Sequence, residues 1–240
     1  MNVIVNIFVA IGAGIVASAI VVGFYEAWTA PKLKVDLDDG PRATGSRPGD
    51  QPGENRRYEF YHVKVWNARS WVPLFARKAA WASSATIEVF DANGNRLVKD
   101  PVHGRWSSAP EPVIPAIAPA HENAVLSSAG TTAVEIKGVQ INLLDVGRLY
   151  SSGRKADIHP NEDQRLAIAI KYEGEPDCYL FSNESYQDTW WRLPAWRIPL
   201  GTHRLRITVS YPCGREVAQF RLANAGPGCD DVRLERWRPA

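Results

Sequence analysis

The residues best suited to chemistry are few and scattered. Five histidines, His62, His103, His121, His159 and His203, stand far apart in the chain, without the close spacing that a metal imposes on its ligands. His62 and His203 fall in segments of alternating polarity and are expected on the solvated faces of strands. His103, His121 and His159 fall in connecting segments, where only tertiary structure could bring them together around an ion. No metal and no cofactor is expected. Asp188 with one of the loop histidines is the nearest approach to a general acid–base pair, and a hydrolase with dispersed catalytic residues is carried as one alternative on that basis. The patterns G-x-S-x-G, P-loop, H-E-x-x-H and C-x-x-C are absent. The commonest catalytic classes therefore have no local support, and no catalytic residue is assigned.

A stronger match lies near the start. Ile11-Gly12-Ala13-Gly14-Ile15-Val16-Ala17 fits G-x-G-x-x-G/A, with Asp36 about twenty residues on, where a dinucleotide-binding fold places its ribose-binding acid. The helix that would begin at Gly14 argues against this, because Ile15 to Phe24 has only Ser18 as a polar residue. A helix packed on a sheet needs a solvated face, whereas one that is apolar all round belongs in lipid or in a deep core. Val3 to Phe24 has no charged side chain and is long enough to span a bilayer. Met1-Asn2 lacks the basic head of a cleavable signal peptide. An uncleaved transmembrane anchor over residues 1–28 is expected, with the lipid bilayer as partner of residues 3–24. On it, Ala10, Gly14 and Ser18 recur every four residues, a small-residue face of the kind that lets helices associate into a homo-oligomer. Lys32, Lys34 and Arg42 follow the span, so the positive-inside rule leaves the C-terminal domain at the cytoplasmic surface of a single-pass protein.

The most distinctive segment for binding runs from Asn183 to Arg197 and holds Trp190, Trp191, Arg192, Trp196 and Arg197. Tryptophan and arginine in one loop are what a protein-binding hot spot, or a stacking platform for a ring, employs. The same residues also suit a packed connection, with Trp190 or Trp191 plugging a core and Trp196 lying under a proline corner. Both readings stay open, and Trp71, Trp81 and Trp106 pose the same question. Cys178, Cys213 and Cys229 are odd in number, which fits reduced thiols better than a disulfide framework. With 28 basic and 26 acidic residues the formal charge is +2. Such a chain shows no sign of a nucleic-acid polymer as partner, and an unknown protein or small-molecule ligand is the expectation.

The elements that must carry these residues are mostly strands. Leu33, Val35 and Leu37 alternate with polar residues, and the same period of two returns at Tyr61-Val63-Val65, Ile87-Val89, Leu166-Ile168-Ile170, Leu205-Ile207-Val209 and Ala218-Phe220-Leu222. These are half-buried strands. Further strands are expected over 134–143 and 178–181, and a short helical turn over 69–82. Asp91-Ala92-Asn93-Gly94-Asn95 reads as a turn; as a calcium loop it fails at Arg96 and Val102. Residues 40–57 read as a flexible loop, and Pro110, Pro112, Pro115 and Pro119 as an extended crossover over 109–120. The fold expected is mainly β, a transmembrane helix followed by an antiparallel sandwich over 29–240.

Tyr61-His62-Val63-Lys64-Val65-Trp66-Asn67, the later Ile87-Glu88-Val89-Phe90-Asp91 with its Asn-Gly turn, and Pro199-Leu200-Gly201-Thr202-His203 before a late strand together resemble immunoglobulin-like adhesion and interaction modules of the CARDB type. The resemblance covers about a quarter of the chain. It implies an immunoglobulin-like sandwich that binds or spaces something, without catalytic residues, and no part of it accounts for residues 145–196. The leading expectation is thus a membrane-anchored, non-enzymatic binding module. A membrane-anchored sensor or effector, whose helix oligomerises when the sandwich takes a ligand, is the other main reading.

Overall fold

The computed structural model describes residues 2–48, 55–70, 76–109, 124–126, 131–136, 139–145, 153–188 and 190–238, with the side chains of 2–13, 47–48, 124–145 and 187 outside that description. Among the described residues, helix α1 (Asn2–Thr29) is followed by sixteen strands. In chain order these are β1 (Leu33–Leu37), β2 (Ala43–Pro48), β3 (Asn55–Asn67), β4 (Ala80–Phe90), β5 (Val102–His103), β6 (Arg105–Trp106), β7 (Ala124–Leu126), β8 (Thr131–Ile136) and β9 (Val139–Asp145). The second half adds β10 (Lys155–Ile158), β11 (Asp163–Tyr172), β12 (Cys178–Leu180), β13 (Arg197–Ile198), β14 (Gly201–Tyr211), β15 (Gly214–Asn224) and β16 (Val232–Arg236).

Two antiparallel sheets form the body. The first runs β1-β3-β11-β12-β13, with β2 beside β3 and β6 beside β11; the second runs β10-β4-β14-β15-β16, with β5 beside β4. The expected period of two explains why they meet. Val63 and Val65 of the first sheet and Ile87, Val89, Leu205, Ile207 and Phe220 of the second are fully buried and form one core with Trp106. Burying each such side chain is worth about 1.5–3 kcal/mol. A separate small sheet, β7-β8-β9, divides the segment expected as one strand over 134–143 into two paired strands.

Two strand positions differ from expectation. His203 is on the same parity as Leu205 and Ile207, so it lies inside, 5% exposed, with its Nε2 at 2.9 Å from the Pro199 carbonyl. The expectation of a solvated His203 is overturned by that register; His62, on the outer face of β3, is half-buried instead. In β11 the register against β3 shifts between Ala167 and Ala169. Leu166 and Ile168 face the main core, but Ile170 turns to the outer side of the sheet and joins a second cluster with Ala167, Tyr172, Phe181 and Trp191. Lys171 is thereby directed inward. Its fully buried ammonium donates to the carbonyl oxygens of Pro176 (3.0 Å) and Gly226 (2.8 Å) and to Asn224 Oδ1 (2.9 Å), tying the two sheets together. Burial holds its pKa below the usual lysine value.

Several connections differ from expectation. Residues 40–57 contain β2, paired with β3 from Asn55 to Phe60, because Thr44 and its neighbours find ladder partners on the long β3. Of the segment 69–82, where a short helical turn is expected, residues 71–75 lie outside the described residues, and β4 begins at Ala80. The Asp91 turn forms as read: the Asp91 carboxylate accepts from the Asn93 and Asn95 amides at 2.9 and 2.8 Å, and Gly94 takes φ +84°. The crossover at 109–120 lies outside the described residues beyond Ala109.

Helix α1 ends against the sandwich. Its last carbonyls, which no helical partner can satisfy, are met by the Lys78 amide on Thr29 O at 2.6 Å and by Arg77 Nη1 on Ala30 O at 2.7 Å. Asn67, 1% exposed, accepts from the Lys32 amide and donates to Lys78 O, locking the strand ends around the exit. Among the described residues no helix is long and apolar enough to cross a membrane. The side chains of α1 are described from Gly14 on, and Gly14 to Thr29 is shorter than the roughly 20 residues of a span. The spanning role expected for residues 3–24 therefore rests on the sequence.

The two faces of β14 should separate cleanly in urea melts of the full chain: Ile207→Ala lowers unfolding free energy by about 2–5 kcal/mol, whereas Thr208→Ala, facing outward, changes it by about 0.5 kcal/mol or less.

Candidate functional site

The segment expected to bind lies across the outer face of the first sheet. A short 3-10 helix, Asn183–Gln187, is capped by a Ser185 hydroxyl that accepts from the Ser182 amide at 3.1 Å, and Glu184 pairs with Arg154. Asp188 then organises the turn. Its Oδ1 accepts from the amides of Trp190 (2.9 Å) and Arg192 (3.0 Å), and Trp191 between them adopts φ +57°. This left-handed conformation is costly for a tryptophan and is offset by what the indole gains. Trp191 is 8% exposed, with ring centroids of Tyr58, Phe60, Phe181 and Tyr186 each 5.6 Å away.

The five candidate residues do not form one patch. Trp190, Trp191 and Arg192 are together. The Arg192 guanidinium lies 5.2 Å over the Tyr172 ring and 5.7 Å over Trp190, with Nη1 at 2.6 Å from Glu175, while the Tyr172 hydroxyl donates to the Trp190 carbonyl. Trp191 is core of the second cluster, and Trp190 with Arg192 forms its half-buried rim. Trp196 packs half-buried against the main core from the turn Pro194–Trp196, and the exposed Arg197 pairs with Asp177 at 2.8 Å on the edge strand β13. Of the loop histidines, His103 lies in β5 and His159 packs edge-on to Trp81, while His121 lies outside the described residues. Among the described residues no group of three or more His, Cys, Asp or Glu could hold a metal. Cys178 and Cys229 are buried, which pushes both thiols up to about 12, and Cys213 is exposed at the tip of the β14–β15 hairpin.

A second surface was not visible from spacing alone. Cross-strand register aligns Arg206 with Glu88 and Gln219, Arg204 with Phe90 and Arg221, Arg221 with Glu235, and Ala223 with Arg233 on the outer face of the second sheet. With Arg96, paired to Glu88, and Arg215, opposite Ser210, six arginines and two glutamates share this face among the described residues. Glu88 is held between Arg206 and Arg96, which keep its carboxyl below the usual carboxylate range, Arg206 having the larger effect. Arg204 stacks 4.7 Å over Phe90 and 5.8 Å from Trp237. Beside it lies a groove of about 820 Å³ lined by Asp36, Leu37, Thr202, Arg221, Trp237 and Arg238. Its floor is fixed by Arg236, which bonds Asp36 Oδ1 at 2.7 Å and Val35 O at 2.8 Å, joining the two sheets at their edge. The signals in the sequence are Arg204 and Arg206 alternating with Leu205 and Ile207, and Arg221 between Phe220 and Leu222; the near-zero net charge conceals the rest.

No family model, curated protein or solved structure matches the chain.

The division within the tryptophan segment is measurable. Trp191→Ala should cost about 3–5 kcal/mol of stability in denaturant unfolding, as for a large core aromatic, while Arg197→Ala on the solvated edge should cost about 1 kcal/mol or less.

Proposed function

We propose that the chain is a membrane-anchored, non-enzymatic binding module. Helix α1 serves as a single transmembrane anchor, the sandwich is held at the cytoplasmic surface, and the arginine-rich outer face of the second sheet takes an acidic protein partner. The observation that carries the reading is that face: six arginines against two glutamates, with guanidinium groups laid over Phe90 and Trp237. Arginine held flat on an aromatic ring is preorganised for bidentate contact with carboxylates. The interspersed Glu88 and Glu235 favour a mixed-charge protein surface over a continuous phosphate backbone. The anchor is supported by the uncharged run Val3 to Phe24 and by the tight seat of Thr29 and Ala30 on Arg77 and Lys78.

The strand partners also support the immunoglobulin-like resemblance. β3 pairs with β11 in one sheet, and β4, β14 and β15 are successive neighbours in the other, as the B–E and C–F–G strands are in immunoglobulin-like sandwiches. Trp190 and Arg192 form a secondary contact surface on the opposite face.

The full chain should stay in the pellet when membranes are washed with alkaline carbonate. Reconstituted in nanodiscs, it should bind poly-glutamate in low salt, and the double substitution Arg204→Glu with Arg221→Glu should weaken that binding about tenfold or more, about 1.4 kcal/mol. Release by carbonate refutes the anchor; equal binding by the variant refutes the face.

The sensor or effector reading keeps one observation of its own. Gly14 has open space where a Cβ would stand, and Ser18 is exposed, so this side of α1 is uncovered by the described residues. Helix association through Ala10, Gly14 and Ser18 then predicts that Gly14→Leu abolishes cross-linked dimers in membranes while leaving the sandwich folded.

A further inference from the structure

At the end of the sandwich beside the helix, β4 breaks its alternation. Ala80 and Ser83 are buried, yet the two residues between them, Trp81 and Ala82, both point outward. They oppose a single residue of β10, Asp157, between the pairs Ile158↔Ala80 and Ala156↔Ser83. This is a β-bulge, a feature that re-aims a side chain. It is actively held: Ala82 takes φ +49°, a left-handed conformation unfavourable for a residue with a Cβ, and its amide is clamped by Asp157 Oδ1 at 2.7 Å.

The side chain displayed by this device is Trp81, 55% exposed, with its indole fixed edge-on to His159 at 5.4 Å. Among the described residues of the sandwich it is the largest exposed apolar side chain, the others being Leu200 and Val217. Its position decides what it meets. Lys78, whose amide closes the last turn of α1, is three residues away, about 10 Å along an extended chain. On that helix Tyr25 and Trp28 are 48% and 39% exposed. Lys78 lies over the Tyr25 ring at 5.8 Å and pairs with Glu26. Exposed Trp and Tyr rings flanked by basic groups are what the boundary between headgroups and acyl chains selects, since an indole is apolar in its body and polar at its N–H.

We propose that the helix-proximal end of the sandwich rests on the bilayer, with Trp81 inserted at headgroup depth alongside Tyr25 and Trp28. The bulge at Trp81–Ala82 is the device that turns this residue toward lipid. The sandwich is then a docked body with a fixed tilt, its second-sheet face held at a set height above the membrane, and not a domain swinging on a tether. This inference rests on the reading of α1 as the anchor.

The test uses the full chain reconstituted in phosphatidylcholine–phosphatidylglycerol vesicles, with acyl chains either plain or brominated near the headgroup. Subtracting the fluorescence of Trp81→Phe from that of the unsubstituted protein isolates Trp81. Its emission should fall about twofold or more in brominated vesicles, as for an interfacial indole. The same subtraction with Trp237→Phe should show no fall, because Trp237 stands beside Arg204, level with Phe90 and so about 30 Å up the sheet from Trp81. Equal emission of Trp81 in both vesicles, or equal quenching of Trp81 and Trp237, overturns the proposal. Flotation separates the two failures: a chain that does not float with the vesicles defeats the anchor and this inference together, whereas one that floats with Trp81 unquenched defeats the docking alone.

Discussion

The register shift of one residue between β3 and β11 is the constraint on which the rest of the sandwich turns. A strand alternates its side chains between faces, so one extra residue sends everything beyond it to the opposite side. Before the shift, Leu166 and Ile168 fill the space between the sheets; after it, Ile170 and Tyr172 face outward and Lys171 faces in. Two demands follow. The outward apolar pair needs a cover, which the segment carrying Phe181, Tyr186 and Trp191 provides. The inward ammonium needs acceptors, which Pro176, Asn224 and Gly226 supply from both sheets. A buried cation left without them would be expensive. The central strand is in this way buried on both faces, and the tryptophan segment and the closure between the sheets answer to the same irregularity.

Charge is organised differently on the two sides of the molecule. Over the first sheet it is tied down locally: Arg192 to Glu175, Arg154 to Glu184, and Arg42 to the buried Glu59. Over the second sheet the described arginines exceed their carboxylates, and Arg204 and Arg206 rest on aromatic rings. Individual exposed pairs contribute little to stability. Their value lies in arrangement, since rows of neighbouring strands fix the spacing of guanidinium groups that flexible side chains alone would leave undefined. The helix exit acts in the same manner at the other end of the molecule, where Lys78 and Arg77 meet the carbonyls of Thr29 and Ala30, Asn67 ties Lys32 to Lys78, and the three together set the direction in which the sandwich leaves α1.

The strands were legible because each of their apolar rows is short, regular and bounded by turn residues. Val63, Ile87, Ile207 and Phe220 were all placed on inner faces from period alone. Local turn chemistry was equally readable at Asp91 and Gly94, where one carboxylate and one positive φ define the geometry. The tryptophan segment was recognisable as special but not as divided. Nothing in the order Trp190-Trp191-Arg192 states which ring enters the cluster; Asp188 decides it by bonding the amides on either side of Trp191. Residues 40–57 differ from expectation because Gly and Pro content marks a loop, whereas the strand pairing of β2 depends on the length of β3, a neighbouring strand whose extent the loop itself does not show.

The sequence by itself determined the amphipathic strands, the apolar N-terminal helix and the absence of local catalytic motifs, because each depends on the spacing of neighbours within about ten residues. Only the tertiary structure decided which side of a strand is sealed after a bulge, where Lys171 points, and how scattered arginines come to share one face. Those outcomes follow from cross-strand register and from the packing of one sheet on another. They are set by pairs of residues far apart in the chain, and no single stretch carries the information.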